Sequence, residues 1–185
     1  MSSEWSDAIN KIDKDVLNLS RFHVRFWTEK DFIPFITSLG RHFDTYRYLW
    51  FLGYFDNSFA KKVEEHYWES RRELIDVRAL SLPFRKDSRG QINKRTLEKL
   101  QRLHVEVKIN DHLHGRMMLL LPDMGTISEV VLGSFDFNKD SLSGDKTNTG
   151  IHTNHPDIIK SAKTLYEEIW DSDDSRSLED YTKDW

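Results

Sequence analysis

Apolar residues in this chain gather in short strand-like runs, separated by stretches in which they recur at helical spacing. Phe22, Val24 and Phe26 alternate with His23, Arg25 and Trp27, the period-two pattern of a half-buried strand. Phe32, Ile33, Phe35, Ile36 and Leu39 then suit one helix face. With Asp31 as its cap, Pro34 falls in the first turn, where a missing amide hydrogen costs no intrahelical bond. Tyr46 to Phe55 is a continuous apolar run, long for a buried strand, and it stops at Asp56-Asn57. Asn57 is placed to cap a helix through Phe59, Val63 and Tyr67 towards Leu74. Val77 to Leu82 reads as another strand, closed by Pro83 and a polar loop through Arg89-Gly90. Ile92, Leu97, Leu100 and Leu103 mark a third helix. Three strand signals follow closely, at Val105 to Ile109, Leu113 to Leu121 and Val130 to Phe137, before a polar loop over 138–149. Asn154 as cap and Pro156 near the first position open a last helix. Its stripe is Ile158, Ile159, Ala162, Leu165, Tyr166, Ile169 and Trp170.

Strand–helix repeated three times implies parallel strands joined by crossovers, and three close strands before a helix imply a mixed sheet. The expected fold class is α/β, a mixed β-sheet sandwiched between helices. No internal repeat, low-complexity tract or Pro/Gly-rich linker divides the chain. A single domain over 20–170 is expected, with an N-terminal extension over 1–19 and an acidic C-terminal tail over 171–185.

Composition narrows the function classes. No apolar run approaches the ~18 residues of a membrane span, so no membrane association is expected. The first residues lack a basic patch followed by an apolar stretch, which points to the cytoplasm. With no cysteine, disulfides, thiolate zinc sites and a cysteine nucleophile are excluded. The 27 Lys and Arg against 31 Asp and Glu give a net charge of −4, but the charge is uneven. Residues 171–185 carry the whole −4, and residues 85–116 carry nine bases against four acids. Such a basic segment suits a phosphate-bearing partner, with a solvated helix face as the plainer alternative.

Candidate chemistry lies in His112-Leu113-His114-Gly115-Arg116 and Gly133-Ser134-Phe135-Asp136-Phe137-Asn138. Residues two apart on a strand share a face, so His114 and Arg116 project together, as do Ser134 and Asp136. If the two strands are neighbours, a nucleophile, a cation, a hydroxyl and a carboxylate meet. His112 and His114 also form a His-x-His pair. His104 and Asp123 add to it on paper, without a third metal ligand at a diagnostic spacing. His152 and His155, beside the last helix start, are expected to cap it or face solvent. Trp27, Trp50, Trp68 and Trp170 are expected in a core or interface, and Trp5 and Trp185 lie near the termini.

On these residues the sequence resembles the phospholipase D superfamily over 20–170. That family carries His-x-Lys, four residues, Asp, then Gly-Ser-x-Asn on neighbouring strands. His114-Gly115-Arg116 and Gly133-Ser134-Phe135-Asp136 occupy those places here. Arg116 stands for Lys, Leu121 for Asp (Asp123 comes two residues late), Asp136 for Asn, and Asn148 where many members carry Glu. The resemblance implies phosphodiester chemistry without metal or cofactor, through a phosphohistidine on His114, with a second His as the proton donor. A chain with one motif implies a homodimer that sets His114 of each subunit across a two-fold axis. Arg116 and Ser134 are the implied phosphate ligands, with Asp136 orienting Arg116 or His114. Asn138, Asn148, Lys94, Arg95 and Arg102 are further candidates for substrate binding. The expected activity is that of a nuclease, with nucleic acid as partner and room for a larger protein complex. The alternative is a catalytically silent module that binds nucleic acid or a protein.

Overall fold

The apolar run after Tyr46 lies in the middle of one large sheet, with five of its six strand residues buried. The computed structural model describes residues 22–28, 31, 46–70, 76–84, 88–122, 127–138 and 148–183. Among them are the strands β1 (Val24–Thr28), β2 (Tyr48–Gly53), β3 (Asp76–Ser81), β4 (Glu106–Asn110), β5 (Met117–Leu121), β6 (Glu129–Gly133), β7 (Thr149–Thr153) and β8 (Ser175–Ser177). The helices are α1 (Asn57–Ser70), α2 (Ser88–Arg102), α3 (Pro156–Trp170) and α4 (Leu178–Thr182). The strand order is β1-β7-β6-β5-β2-β3-β4-β8. β2, β3 and β4 are parallel and the remaining pairs antiparallel, a mixed sheet as the element order implies.

Alternation along β2 splits the interior in two. Leu49 and Phe51 face one core with Phe59 and Val63 of α1, Leu97 and Leu100 of α2, and Leu178 of α4. Trp50 and Leu52 face a second core built on Ile159, Ala162, Tyr166 and Trp170 of α3. Each such side chain stabilises the fold by about 1.5–3 kcal/mol when fully buried, which is why helices cover both faces. No described helix is long and apolar enough to cross a membrane.

Several elements depart from the sequence pattern. β1 pairs with β7 at the far edge and not with β2, and its parity is reversed. Val24 and Phe26 are exposed, whereas Trp27 packs on the first core beside His152, with ring centroids 4.5 Å apart. The strands expected over Leu113–Leu121 and Val130–Phe137 shorten to β5 and β6, and β7 starts where the polar loop was expected to end. Asp56 caps α1 in place of Asn57, its Oδ1 accepting from the Ser58 and Phe59 amides at 2.8 and 3.3 Å. Asn154 does not cap α3. Its Oδ1 accepts from the His23 amide at 2.7 Å, and His155 holds the N-cap position without a side-chain bond. His152 is buried between strands and is no cap. Within the stretch expected as an acidic tail, β8 pairs with β4 and Leu178 joins the first core, so the sheet continues beyond residue 170. The extension over 1–19, the helix expected after Asp31, Asp123, Trp185 and the side chains of Trp68 and Ile92 lie outside the described residues.

Candidate active site

β5 and β6 are antiparallel neighbours, with Met117 opposite Leu132, and the Gly133 amide donates to the Arg116 carbonyl at 3.2 Å. The two chemistry-bearing segments therefore leave the sheet side by side. Leu52 of β2 lies opposite Met117, so the C-terminal end of β2 reaches the same place.

After Gly133 the chain leaves β6 as a strap. The Ser134 amide donates to the Thr149 carbonyl at 2.9 Å, and the Phe137 amide donates to the Tyr54 carbonyl at 2.8 Å. Residues 134–137 thus cross the end of β5 from β7 to β2. The period-two reading survives this change of element. Phe135 and Phe137 sink into the first core, Ser134 is exposed, and Asp136 is turned onto Arg116. Phe137 is held by stacking on Phe55, with centroids 5.0 Å apart.

Arg116 is heavily engaged. Its Nε donates to Asp136 Oδ1 in an ion pair, and its Nη1 donates to the backbone carbonyls of His114 and Gly115 at 3.3 and 3.0 Å. Both partners of the pair are largely sheltered, with side chains 18% and 25% exposed, so solvent screens it less than a surface pair. His114 is exposed and lines a cavity of about 510 Å³ with Arg116, Leu132, Leu165 and Glu168. A nucleophile beside a guanidinium held by a carboxylate is an arrangement that can receive a phosphoryl group, provided the anion competes with Asp136 for Arg116.

The other candidates scatter. Ser134 is at the site, but its hydroxyl accepts from the Thr149 amide at 3.1 Å. Asn138 and Asn148 are buried, and neither lines the cavity. Lys94, Arg95 and Arg102 belong to α2, which packs on the opposite sheet face through Leu97 and Leu100, so the sheet separates them from His114. The basic segment is continuous in sequence but wraps both faces. His112 lines the cavity rim, its Nε2 4.0 Å from Asp174 Oδ1. His104, with φ of 61°, ends α2 in a left-handed conformation, its amide donating to Gln101 O at 2.9 Å. Among the described residues no three His, Asp or Glu side chains gather as metal ligands.

Gly53 is a site residue that the sequence patterns did not single out. A Cβ there would lie 3.0 Å from Arg116 Cδ and 3.2 Å from the Phe137 ring. A glycine closing a run of buried residues was its only signal. Gly133 is likewise fixed by close approach, since a Cβ would meet the Thr149 carbonyl oxygen at 2.3 Å.

The sequence matches no protein-family model and no curated protein. Solved structures share the fold. NucT from Helicobacter pylori superposes with a TM-score of 0.63 at 12% identity, over 84% of this chain and 99% of its own. Nuc from Salmonella typhimurium, a phospholipase D family member, gives 0.60 at 12% identity, over 84% and 97%. Phosphatidylserine synthase from Haemophilus influenzae gives 0.64 at 13% identity, over 84% of this chain and 38% of that one. The architecture is therefore the phospholipase D fold.

Proposed function

We propose that the chain is a metal-independent phosphodiesterase, a nuclease in kind, acting as a homodimer. One observation carries the reading: His114-Gly115-Arg116 and Gly133-Ser134-Phe135-Asp136 lie side by side at one end of a sheet with the phospholipase D fold. In the proposed reaction an imidazole nitrogen of His114 attacks phosphorus, forming a P–N bond as the bond to the leaving oxygen breaks. That oxygen takes its proton from His114 of the partner subunit. Water then attacks the phosphohistidine and gives a proton back to the same imidazole, and the P–N bond breaks. Arg116 and the Ser134 hydroxyl hold the phosphoryl oxygens as charge develops, and Asp136 positions Arg116. Nucleic acid is the proposed substrate class; of the basic 85–116 segment only Arg116 is among the described residues lining the cavity, since Lys94, Arg95 and Arg102 lie on the opposite sheet face.

The surface beside His114 supports the dimer. Phe26, Ile151, Leu132 and Met117 stand opposite one another in one row across β1, β7, β6 and β5. Phe26 is 82% exposed and Leu165 is 52% exposed, while Leu132 and Leu165 reach the His114 cavity. A contiguous apolar strip running up to a half-site is a surface that a second copy would cover.

A second reading, a silent binding module, draws on the occupancy of the Arg116 guanidinium by Asp136 and two carbonyls. Cleavage of single- and double-stranded DNA and RNA in excess chelator separates the two. The enzyme reading expects turnover in chelator and a loss of at least about a hundredfold in His114→Ala, the scale of a lost general acid–base or nucleophilic group. Salt-sensitive binding with no cleavage between pH 5 and 8 would establish the silent module instead.

A further inference from the structure

His114 stands on the loop over 111–116, between β4 and β5. Its ring makes no hydrogen bond or ion pair among the described residues, so the backbone on either side governs where the imidazole sits. The C-terminal side is tied by Arg116, whose Nη1 donates to the His114 and Gly115 carbonyls. The N-terminal side is tied by a residue that the sequence patterns passed over. Asn110 ends β4, is 5% exposed, and lies on the wall of the His114 cavity.

Both ends of the Asn110 side-chain amide are used. Its Oδ1 accepts from the His112 amide at 2.9 Å, an Asx turn that redirects the chain as it leaves the strand. Leu113, buried in the second core, anchors the turn. The Asn110 Nδ2 donates to the Ser175 hydroxyl at 2.9 Å, and that hydroxyl donates to the Ile169 carbonyl at 2.5 Å. Ile169 lies in the last turn of α3, where carbonyls lack intrahelical partners. A chain of hydrogen bonds thus runs from the end of α3, through β8 and Asn110, to a backbone amide two residues before His114. Beside it, Arg176 of β8 donates to Asp111 at 2.6 Å. The site selects this side chain: an aspartate would bury a charge, and a leucine would leave the His112 amide without its acceptor. Asparagine supplies a donor and an acceptor at once.

We infer that Asn110, seated on Ser175, is a positioning residue for the proposed reaction, holding the loop so that the His114 imidazole meets phosphorus in line. The inference rests on His114 as the nucleophile. It adds the segment that follows α3 to the framework of the active site.

Steady-state cleavage and amide hydrogen exchange by NMR, on the same full-length variants, test it. In Asn110→Ala, kcat is expected to fall about thirtyfold to a hundredfold with KM changed less than about threefold, because the implied phosphate ligands Arg116 and Ser134 remain. Ser175→Ala keeps the turn and removes its support, and a loss of about tenfold in kcat is expected. Asn110→Ser, whose hydroxyl accepts from the same amide more weakly, is expected to recover part of the rate. Val63→Ala truncates the first core, on the other sheet face, and is expected to lower the melting temperature while leaving kcat of the folded protein unchanged. Exchange of the His112 amide is expected to quicken about tenfold in Asn110→Ala and in Ser175→Ala. Should Asn110→Ala not fold, Ser175→Ala and Asn110→Ser carry the test. An unchanged kcat, a loss confined to KM, an equal fall in kcat for Val63→Ala, or unaltered His112 exchange would each overturn the inference. A parent that cleaves nothing in chelator would overturn the proposed function and the catalytic role of Asn110 with it, and quickened exchange would then assign Asn110 to the loop alone.

Discussion

At the scale of single residues, the decisive contact is the one between Arg116 and Asp136. In the proposed reaction a carboxylate at the phosphate position would neutralise the cation and repel the anion, so the Arg116–Asp136 pair would set the threshold for substrate entry. Asp136→Asn keeps the shape and removes the charge. It is expected to raise affinity for a phosphodiester about tenfold and to cost about 1–3 kcal/mol of stability, because Arg116 loses its ionic partner. Binding of a single-stranded oligonucleotide, read beside a denaturation curve, measures both, and unchanged affinity would show that Arg116 does not meet the anion. A second residue-scale device is remote from this site. The Tyr46 hydroxyl is pushed up by burial and by the Glu129 carboxylate that it hydrogen-bonds. Glu129 lies 3.4 Å from His152 Nε2, and His152 Nδ1 lies 3.3 Å from His23 Nε2. Burial, then the neighbouring His152 and Arg25, hold the His23 ring below its ordinary value of 6.5, with Glu129 opposing. Above 6.5 the ring is neutral in both folded and unfolded chains. As pH falls through 6.5 the unfolded chain takes up the proton first, and stability is lost towards the lower folded value. Urea midpoints at pH 7 and 5.5 are expected to differ less in His23→Gln than in the parent, and an equal difference would remove this role.

At the scale of elements, the least conspicuous segment in the sequence closes the sheet. β8 is Ser-Arg-Ser, with no apolar alternation, yet it covers the edge of β4, where the Asn110 amide donates to the Ser175 hydroxyl at 2.9 Å. Arg176 reaches back to Asp111 at 2.6 Å, and Leu178, 3% exposed, anchors α4 in the first core. Leu178→Ala is expected to cost about 2–5 kcal/mol, the range for truncating a buried leucine, whereas a tail lying free of the sheet would tolerate the change. Chemical denaturation reads the difference. These elements also show what the sequence made legible. α3 was readable because Ile159, Ala162, Tyr166 and Trp170 keep one period over four turns, and β2 because a strand buried on both faces needs no alternation. The site segments were readable because period-two parity holds along the strap from Ser134 to Phe137 even where it is not a strand. β8 and β7 escaped because their membership rests on backbone pairing with distant strands, which leaves no trace in local hydropathy. The parity of β1 was misread for a related reason. At an edge beyond the reach of α3, burial of Trp27 against His152 outweighs that of Phe26.

At the scale of the whole molecule, two facts about the α3 face belong together: the His114-Gly115-Arg116 segment, and an apolar row that runs from beside it to the end strand β1. Along that row Met117 is 3% exposed, Ile151 is 36% exposed and Phe26 is 82% exposed, so protection fades in the direction away from α3. A monomer leaves that gradient in water. A two-fold partner would remove it from water and bring a second His114 towards the first, linking dimerisation to activity in one geometric step. Phe26→Glu separates this link from folding. The side chain makes little of the core, so the melting temperature is expected to hold, while two charges brought together at an isologous contact are expected to weaken self-association at least about tenfold. Specific activity would then fall with dilution at higher protein concentration than in the parent, and His114→Ala mixed with the parent would depress activity through inactive mixed dimers only while the interface is intact. Sedimentation and cleavage rates measured over the same concentration series test the link. A Phe26→Glu chain that sediments as a monomer and retains full activity would show that one His114 suffices and that the apolar row serves another partner.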